Sequence, residues 1–139
     1  MSRVLLLEDD AFSALALSSL LEGEGFVVDS VSNAERALEI SMVEPPDLLI
    51  ADWSIEGDST SADVARRLRL LNPQMRIAFV TGYDTQDIRP EIVDLHPYEV
   101  FSKPLDFESF IAEVKEDESS RRYSRTNLEH GPGKGGEIA

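Results

Sequence analysis

Three acidic residues follow the first apolar run of the chain: Glu8, Asp9 and Asp10 come directly after VLLL (4–7). Adjacent carboxylates raise one another's pKa unless water or a bound cation offsets the repulsion. Clustered carboxylates suit Mg²⁺, which prefers oxygen ligands and keeps several of its waters. The acids therefore indicate a candidate magnesium site. The simpler alternative is a solvated helix start, in which Asp10 caps the first helix.

Polar residues also end three later apolar runs: Asp52 in DLLIAD (47–52), Thr81 after IAFV (77–80), and Lys103 with Pro104 after YEVFS (98–102). A carboxylate can attack phosphorus and become an aspartyl phosphate. Phosphoryl transfer depends mainly on positioning and charge neutralisation, which Mg²⁺ and Lys103 would supply, while Thr81 would donate a hydrogen bond to a phosphoryl oxygen. Each residue alone is common loop chemistry, and their conjunction is what points to phosphoryl transfer.

The sequence contains five short apolar runs, which are VLLL (4–7), FVVDSV (26–31), DLLIAD (47–52), IAFV (77–80) and YEVFS (98–102). Four of them show little polar alternation, which is typical of strands buried on both faces of a parallel sheet. Segments with helical spacing lie between them. The pattern predicts an α/β fold, a flavodoxin-like (βα)5 doubly wound parallel sheet with strand order 2-1-3-4-5. The carboxyl ends of its strands would bring the polar residues to one rim.

Five helices are expected between and after these strands. The first covers 11–24, with an apolar stripe of Phe12, Leu15, Ala16, Leu20 and Leu21 and a stop at Gly23 and Gly25. The others are a helix to about Met42 behind a Ser32–Glu35 capping box, one from a Ser61 cap to Leu71, a short one near 85–95 that contains Pro90, and one from an Asp106 cap to about Glu116.

Composition narrows the class of protein. The 139 residues carry a net charge of −14, which disfavours nucleic acid and anionic membrane surfaces as partners. The chain has no cysteine, no signal-peptide pattern and no apolar run near the ~18 residues of a membrane helix. We expect a cytoplasmic protein with one domain over 1–118 and a polar, flexible or loosely docked tail over 119–139, with an extra helical turn near 121–127 as an alternative.

The motifs LLLEDD, LLIADWS, VTGY and FSKPLD, in this order and at these separations, resemble the receiver domains of bacterial two-component response regulators over about 3–115. The resemblance implies a stand-alone receiver. It would accept a phosphoryl group, with Mg²⁺, from a phosphohistidine on a sensor histidine kinase or histidine phosphotransfer protein. Phosphorylation would then change its affinity for a downstream protein.

The resemblance also implies roles for single residues. Asp52 is similar to the phosphoacceptor, and Asp9 to the direct metal ligand beside it. Glu8 would hold the metal through water or support the pocket, and the backbone carbonyl of Ser54 would complete the protein ligands. Thr81 would bond the phosphoryl group.

Lys103 would pair with the phosphoryl group, and Pro104 would follow a cis peptide bond. Asp10, one place past the usual acidic pair, has a supporting role. Tyr83, with Ser54, would flank the path of an attacking water and tune hydrolysis.

One departure from the family concerns its aromatic switch. Val100 stands where many receivers carry Tyr or Phe, and the alternate strand direction of Phe101 argues against a substitution. The fourth helix would be short or displaced, and the sequence leaves open a homodimer through the face of helix 4, strand 5 and helix 5.

Two other functions compete with this one. The first is a receiver-like interaction module that works without phosphorylation. The second is a hydrolase of the haloacid dehalogenase type, whose nucleophile lies at the end of the first strand rather than the third. A receiver excised from a hybrid kinase also remains open.

Overall fold

The computed structural model describes residues 2–55 and 60–129, with side chains up to Ser119. The chain divides into two compact units, residues 1–105 and residues 106–139. All five strands and the first four helices lie in the first unit. The last helix lies in the second.

The first unit is built on one parallel sheet. Its strands are β1 (Arg3–Leu7), β2 (Val27–Val31), β3 (Leu48–Asp52), β4 (Arg76–Thr81) and β5 (Glu99–Ser102). Their order is β2-β1-β3-β4-β5, and every neighbouring pair is parallel. All five residues of β3 are buried because β3 lies at the centre of the sheet. This confirms the predicted flavodoxin-like order.

The helices are α1 (Ala11–Gly23), α2 (Ala34–Val43), α3 (Ser61–Leu71), α4 (Thr85–Ile92) and α5 (Phe107–Glu129), and a 3-10 turn covers Val93–Leu95. The main core cluster combines side chains of β3 and β4 with the buried face of α3. Trp53 packs against this cluster, its ring edge-to-face with Phe79 at a centroid distance of 5.5 Å. The ends of β3 and β4 are therefore fixed by packing.

The predicted apolar stripe of α1 was wrong at Phe12 and Leu15 and was confirmed at Leu21. Phe12 and Leu15 are 85% and 67% exposed, whereas the buried residues of the helix are Leu17 and Leu21. Leu17 and Leu21 lie one turn apart on the same face. Apolar residues occur almost all around α1, so their spacing did not decide which face meets the core.

Two predicted helix caps were also wrong. Asn33, not Ser32, caps α2 by accepting a hydrogen bond from the Arg36 N–H. Thr60, not Ser61, caps α3, and its hydroxyl accepts from the Asp63 N–H at 3.1 Å. In each case two neighbouring residues can cap a helix, and the sequence does not show which of them has extended backbone.

The fourth helix is short, as predicted. It has eight residues, contains Pro90 and passes into the 3-10 turn. The guanidinium of Arg66 on α3 holds this region through both carboxylate oxygens of Asp94, at 2.9 and 3.1 Å, and through the Glu91 carbonyl at 2.7 Å.

The second unit contains α5. The predicted Asp106 cap is confirmed, because its carboxylate accepts from the Glu108 N–H at 3.1 Å. The predicted end near Glu116 was wrong, since the helix continues to Glu129 and includes the turn considered near 121–127. Residues 117–129 contain neither Gly nor Pro, so nothing local stops the helix. The rest of the predicted tail, 130–139, lies outside the described residues.

Candidate functional site

Three carboxylates converge at the carboxyl ends of β1 and β3. One oxygen each of Glu8, Asp9 and Asp52 lies within 4.8 Å of the others. The register explains this, because Leu7 of β1 pairs with Ala51 of β3 and the acids follow directly. Glu8 and Asp52 are buried, whereas Asp9 is exposed. The cluster therefore has two buried acids and one that faces solvent.

Lys103 provides the positive charge of this rim. Its Nζ lies 3.1 Å from Asp52 Oδ1. The pairing of Thr81 with Ser102 places β5 at this end of the sheet, and the Lys103 N–H donates to the Thr81 carbonyl at 2.8 Å. The peptide bond between Lys103 and Pro104 is cis, as the resemblance implied.

Thr81 ends β4 and is 1% exposed. Its hydroxyl oxygen accepts a hydrogen bond from the Tyr83 N–H at 2.9 Å. A hydroxyl that accepts in this way keeps its own proton for donation. The Tyr83 ring is 62% exposed.

The Asp10 carboxylate caps α1 and is not part of the group formed by Glu8, Asp9 and Asp52. It accepts hydrogen bonds from the Ser13 N–H at 3.0 Å and from the Ser13 hydroxyl at 2.7 Å. The bond from the Ser13 hydroxyl is the main reason that the Asp10 pKa is lowered. Its backbone N–H donates to Glu8 Oε2 at 3.1 Å. Asp10 therefore contacts the cluster through its main chain, not its carboxylate.

The surroundings raise the pKa of both Glu8 and Lys103. Burial raises the pKa of Glu8 to about 7, and the nearby Asp52 charge adds to that shift. Burial alone would lower the pKa of Lys103, but the hydrogen bond to Asp52 and the charges of Asp52, Glu8 and Asp9 outweigh it, so the pKa is raised. Lys103 is therefore held as an ammonium beside a carboxylate cluster that favours a further cation.

The donor set fits a magnesium ion. Three carboxylates whose oxygens lie within 4.8 Å of one another offer the hard oxygen ligands that Mg²⁺ requires. Ser54, whose carbonyl was predicted as a ligand, is exposed two residues after Asp52. That role stays a prediction.

Ser61, which the sequence predicts as a helix cap, instead contacts the backbone of Asp52. Ser61 is completely buried, and its hydroxyl donates a hydrogen bond to the backbone carbonyl of Asp52. The signal in the sequence was the pair Thr60-Ser61, because a helix start needs only one capping hydroxyl.

The residues at the expected switch position lie on opposite sides of β5. Val100 is 6% exposed and belongs to the core cluster, whereas Phe101 is only half-buried. They pair with Phe79 and Val80 of β4. Adjacent strand residues point to opposite faces, so Phe101 does not take the place of an aromatic residue at 100.

In the part of the chain that the structure describes, no helix is both long enough and apolar enough to cross a membrane.

Comparison with known proteins gives one consistent family. The sequence pattern of the response regulator receiver domain matches residues 4–115. The response regulator receiver protein CpdR of Brucella abortus is 30% identical over 115 residues, which cover 83% of this chain and 95% of that protein. Sporulation initiation phosphotransferase F of Bacillus subtilis is 26% identical over 113 residues, which cover 81% and 90%.

A solved structure agrees with these relatives. The response regulator protein TrrA of Thermotoga maritima, in complex with Mg²⁺ and BeF, superposes with a TM-score of 0.72 at 26% identity, covering 84% of this chain and 98% of that one.

Proposed function

The chain belongs to the family of response regulator receiver domains, and we propose that Asp52 is the residue that accepts the phosphoryl group. The observation that carries the proposal is the buried Asp52 carboxylate, which lies 3.1 Å from the Lys103 ammonium and beside two more acids. The family match also favours a receiver over the haloacid dehalogenase alternative.

In the proposed reaction an Asp52 carboxylate oxygen attacks the phosphorus of a phosphohistidine. The new O–P bond forms as the P–N bond breaks, and the electron pair of that bond stays on the imidazole nitrogen. Lys103 neutralises charge on the phosphoryl group, and the Thr81 hydroxyl donates a hydrogen bond to a phosphoryl oxygen. Mg²⁺, held by Glu8, Asp9, Asp52 and the Ser54 carbonyl, would supply the remaining charge neutralisation when bound.

The donor would be a sensor histidine kinase or a histidine phosphotransfer protein. The phosphorylated chain would change its affinity for a downstream protein. Support for this comes from the family and from the name of one relative, a phosphotransferase.

Hydrolysis of the aspartyl phosphate would depend on the residues beside it. Ser54 and Tyr83 are exposed near the rim, so they would lie along the path of an attacking water. We expect Ser54→Ala and Tyr83→Ala to change the hydrolysis rate constant by a few fold, measured from the decay of phosphorylated protein after removal of the donor. Unchanged rates in both variants would remove this role.

The experiment that tests the proposed function is intact mass spectrometry after incubation with acetyl phosphate, with Mg²⁺ or with EDTA. We expect one added phosphoryl group that needs Mg²⁺ and is absent from Asp52→Asn. No adduct, under conditions that label a control receiver, would contradict the proposal and favour the phosphorylation-independent interaction module. Binding of beryllofluoride, a mimic that does not hydrolyse, separates that outcome from rapid hydrolysis.

A further inference from the structure

The peptide group between Asp52 and Trp53 is held at both of its polar atoms. Its carbonyl, that of Asp52, accepts a hydrogen bond from the Ser61 hydroxyl. Its N–H, that of Trp53, donates to the Val80 carbonyl at 2.8 Å. With both ends bonded, the peptide plane has one orientation.

The orientation of this peptide plane affects two groups of the proposed site, the Asp52 carboxylate and the Ser54 carbonyl. It directly follows the Cα of Asp52, so it fixes the direction in which the carboxylate leaves the backbone. It also sets the course of the chain toward Ser54, whose carbonyl is a proposed metal ligand. Rotation of the plane would move both groups.

Ser61 is free to perform this task because it does not cap its helix. Thr60 accepts the hydrogen bond of the first turn, and Ser61 is the first helical residue. Ser61 is 0% exposed, so its hydroxyl has no water to donate to at the surface. Its partner is nine residues earlier in the chain.

We propose that Ser61 is a positioning residue for the phosphoryl site, because its hydroxyl fixes the Asp52–Trp53 peptide group and so orients Asp52 and the Ser54 carbonyl. The inference rests on the proposed role of Asp52. Ser61 itself does not touch the reacting atoms.

The test compares Ser61→Ala with a matched control, Ser41→Ala. Ser41 is also 0% exposed, but its hydroxyl has no hydrogen-bond partner among the described residues. Both variants lose a buried hydroxyl, and only Ser61→Ala loses the bond to Asp52. Ser61→Thr keeps a donor and serves as the rescue variant.

Two readouts separate positioning from general destabilisation. The first is the rate constant of phosphorylation at saturating acetyl phosphate, together with the donor concentration at half-saturation. The second is Mg²⁺ affinity, followed by the fluorescence of Trp53, the only tryptophan of the chain and the neighbour of Asp52. Both are measured well below the unfolding midpoint of every variant.

We expect Ser61→Ala to lower the maximal rate constant about tenfold and Mg²⁺ affinity about threefold, with half-saturation unchanged, because the reacting group is displaced but donor binding is not. Ser61→Thr should recover most of the rate, and Ser41→Ala should match the wild type. If Ser61→Ala does not fold, Ser61→Cys, of similar volume but a weak donor, should show the same losses.

Wild-type rates and Mg²⁺ affinity in Ser61→Ala or Ser61→Cys would overturn the inference, even if their unfolding midpoints fall. A wild-type protein that acetyl phosphate does not label would instead contradict the proposed function. In that case Mg²⁺ affinity decides the inference: weaker binding in Ser61→Ala than in Ser41→Ala supports it, and equal binding overturns it.

Discussion

Two pairs of acidic and basic side chains in this chain have nearly the same separation and different surroundings. Lys103 lies 3.1 Å from Asp52, whose side chain is 6% exposed. Arg66 lies 2.9 Å from Asp94, and both side chains are at least 40% exposed. Distance alone would rank these pairs as equal.

Because of these surroundings, the pair of Lys103 and Asp52 is suited to take part in a reaction, whereas the pair of Arg66 and Asp94 is suited to hold the fold together. Asp52 shares its pocket with Glu8 and Asp9, so Lys103 neutralises only part of the local negative charge. Asp94 offers both oxygens to one guanidinium, which also bonds a main-chain carbonyl. The surface pair is satisfied by its own contacts, whereas in the buried group three carboxylates share one ammonium.

The largest expected difference between the pairs is in phosphorylation rate. Lys103→Met keeps most of the side-chain volume and removes the charge that would face the phosphoryl group, so the rate with acetyl phosphate should fall about 10²–10³-fold. Arg66→Met is the matched control in the surface pair and should react at the wild-type rate. Equal rates for the two variants would show that Lys103 takes no part in the reaction.

A smaller effect should appear in the pH dependence of stability without metal. The folded-state pKa of Glu8 is raised from 4.5 to about 7, so the folded protein holds a proton that the unfolded chain releases. The free energy of unfolding in EDTA should therefore fall as pH rises from about 4.5 to 7, by about 2–3 kcal/mol.

Urea denaturation across this pH range would measure the fall in the free energy of unfolding, and the Glu8→Gln variant should not show this fall. If the free energy of unfolding still falls with pH in Glu8→Gln, another group is responsible for the pH dependence.

The smallest effect is expected at the surface pair. The hydrogen bonds that Arg66 donates lower the pKa of Asp94. The pair therefore contributes to the stability of the folded state at neutral pH, and this contribution is lost as pH falls through the folded-state pKa of Asp94. This sign is opposite to that of Glu8. Asp94→Asn should lower the unfolding midpoint by about 1–4 °C at pH 7, with no difference at acidic pH. A midpoint that differs equally at both pH values would show that charge is not the cause.

The parts of the site that could be predicted from the sequence share one physical origin. Asp52, Thr81 and Lys103 each end an apolar run, and parallel strands bring such ends to the same rim. The carboxylate cluster and the pair between Asp52 and Lys103 follow from that rule. The alternation of strands and helices predicted a parallel sheet, for which the flavodoxin-like order was the expected one.

The features that could not be predicted depend on distinguishing residues of similar chemistry within one element. Phe12 and Leu17 are both apolar residues of α1, and only tertiary packing decides that Leu17 is buried. Thr60 and Ser61 both carry hydroxyls, and their backbone angles decide which one caps α3. The pair Thr60-Ser61 signals a spare hydroxyl, but its bond to Asp52 could not be predicted because it depends on where α3 begins in space.

The order of the strands has a consequence for how the site forms during synthesis. The groups of the rim come from positions 8, 9, 52, 81 and 103, and β5 joins the sheet only through β4. A nascent chain that has emerged only as far as β4 contains the three carboxylates but not Lys103. Lys103, whose ammonium offsets the charge of Asp52 in the folded protein, is therefore the last group of the rim to be added to the chain.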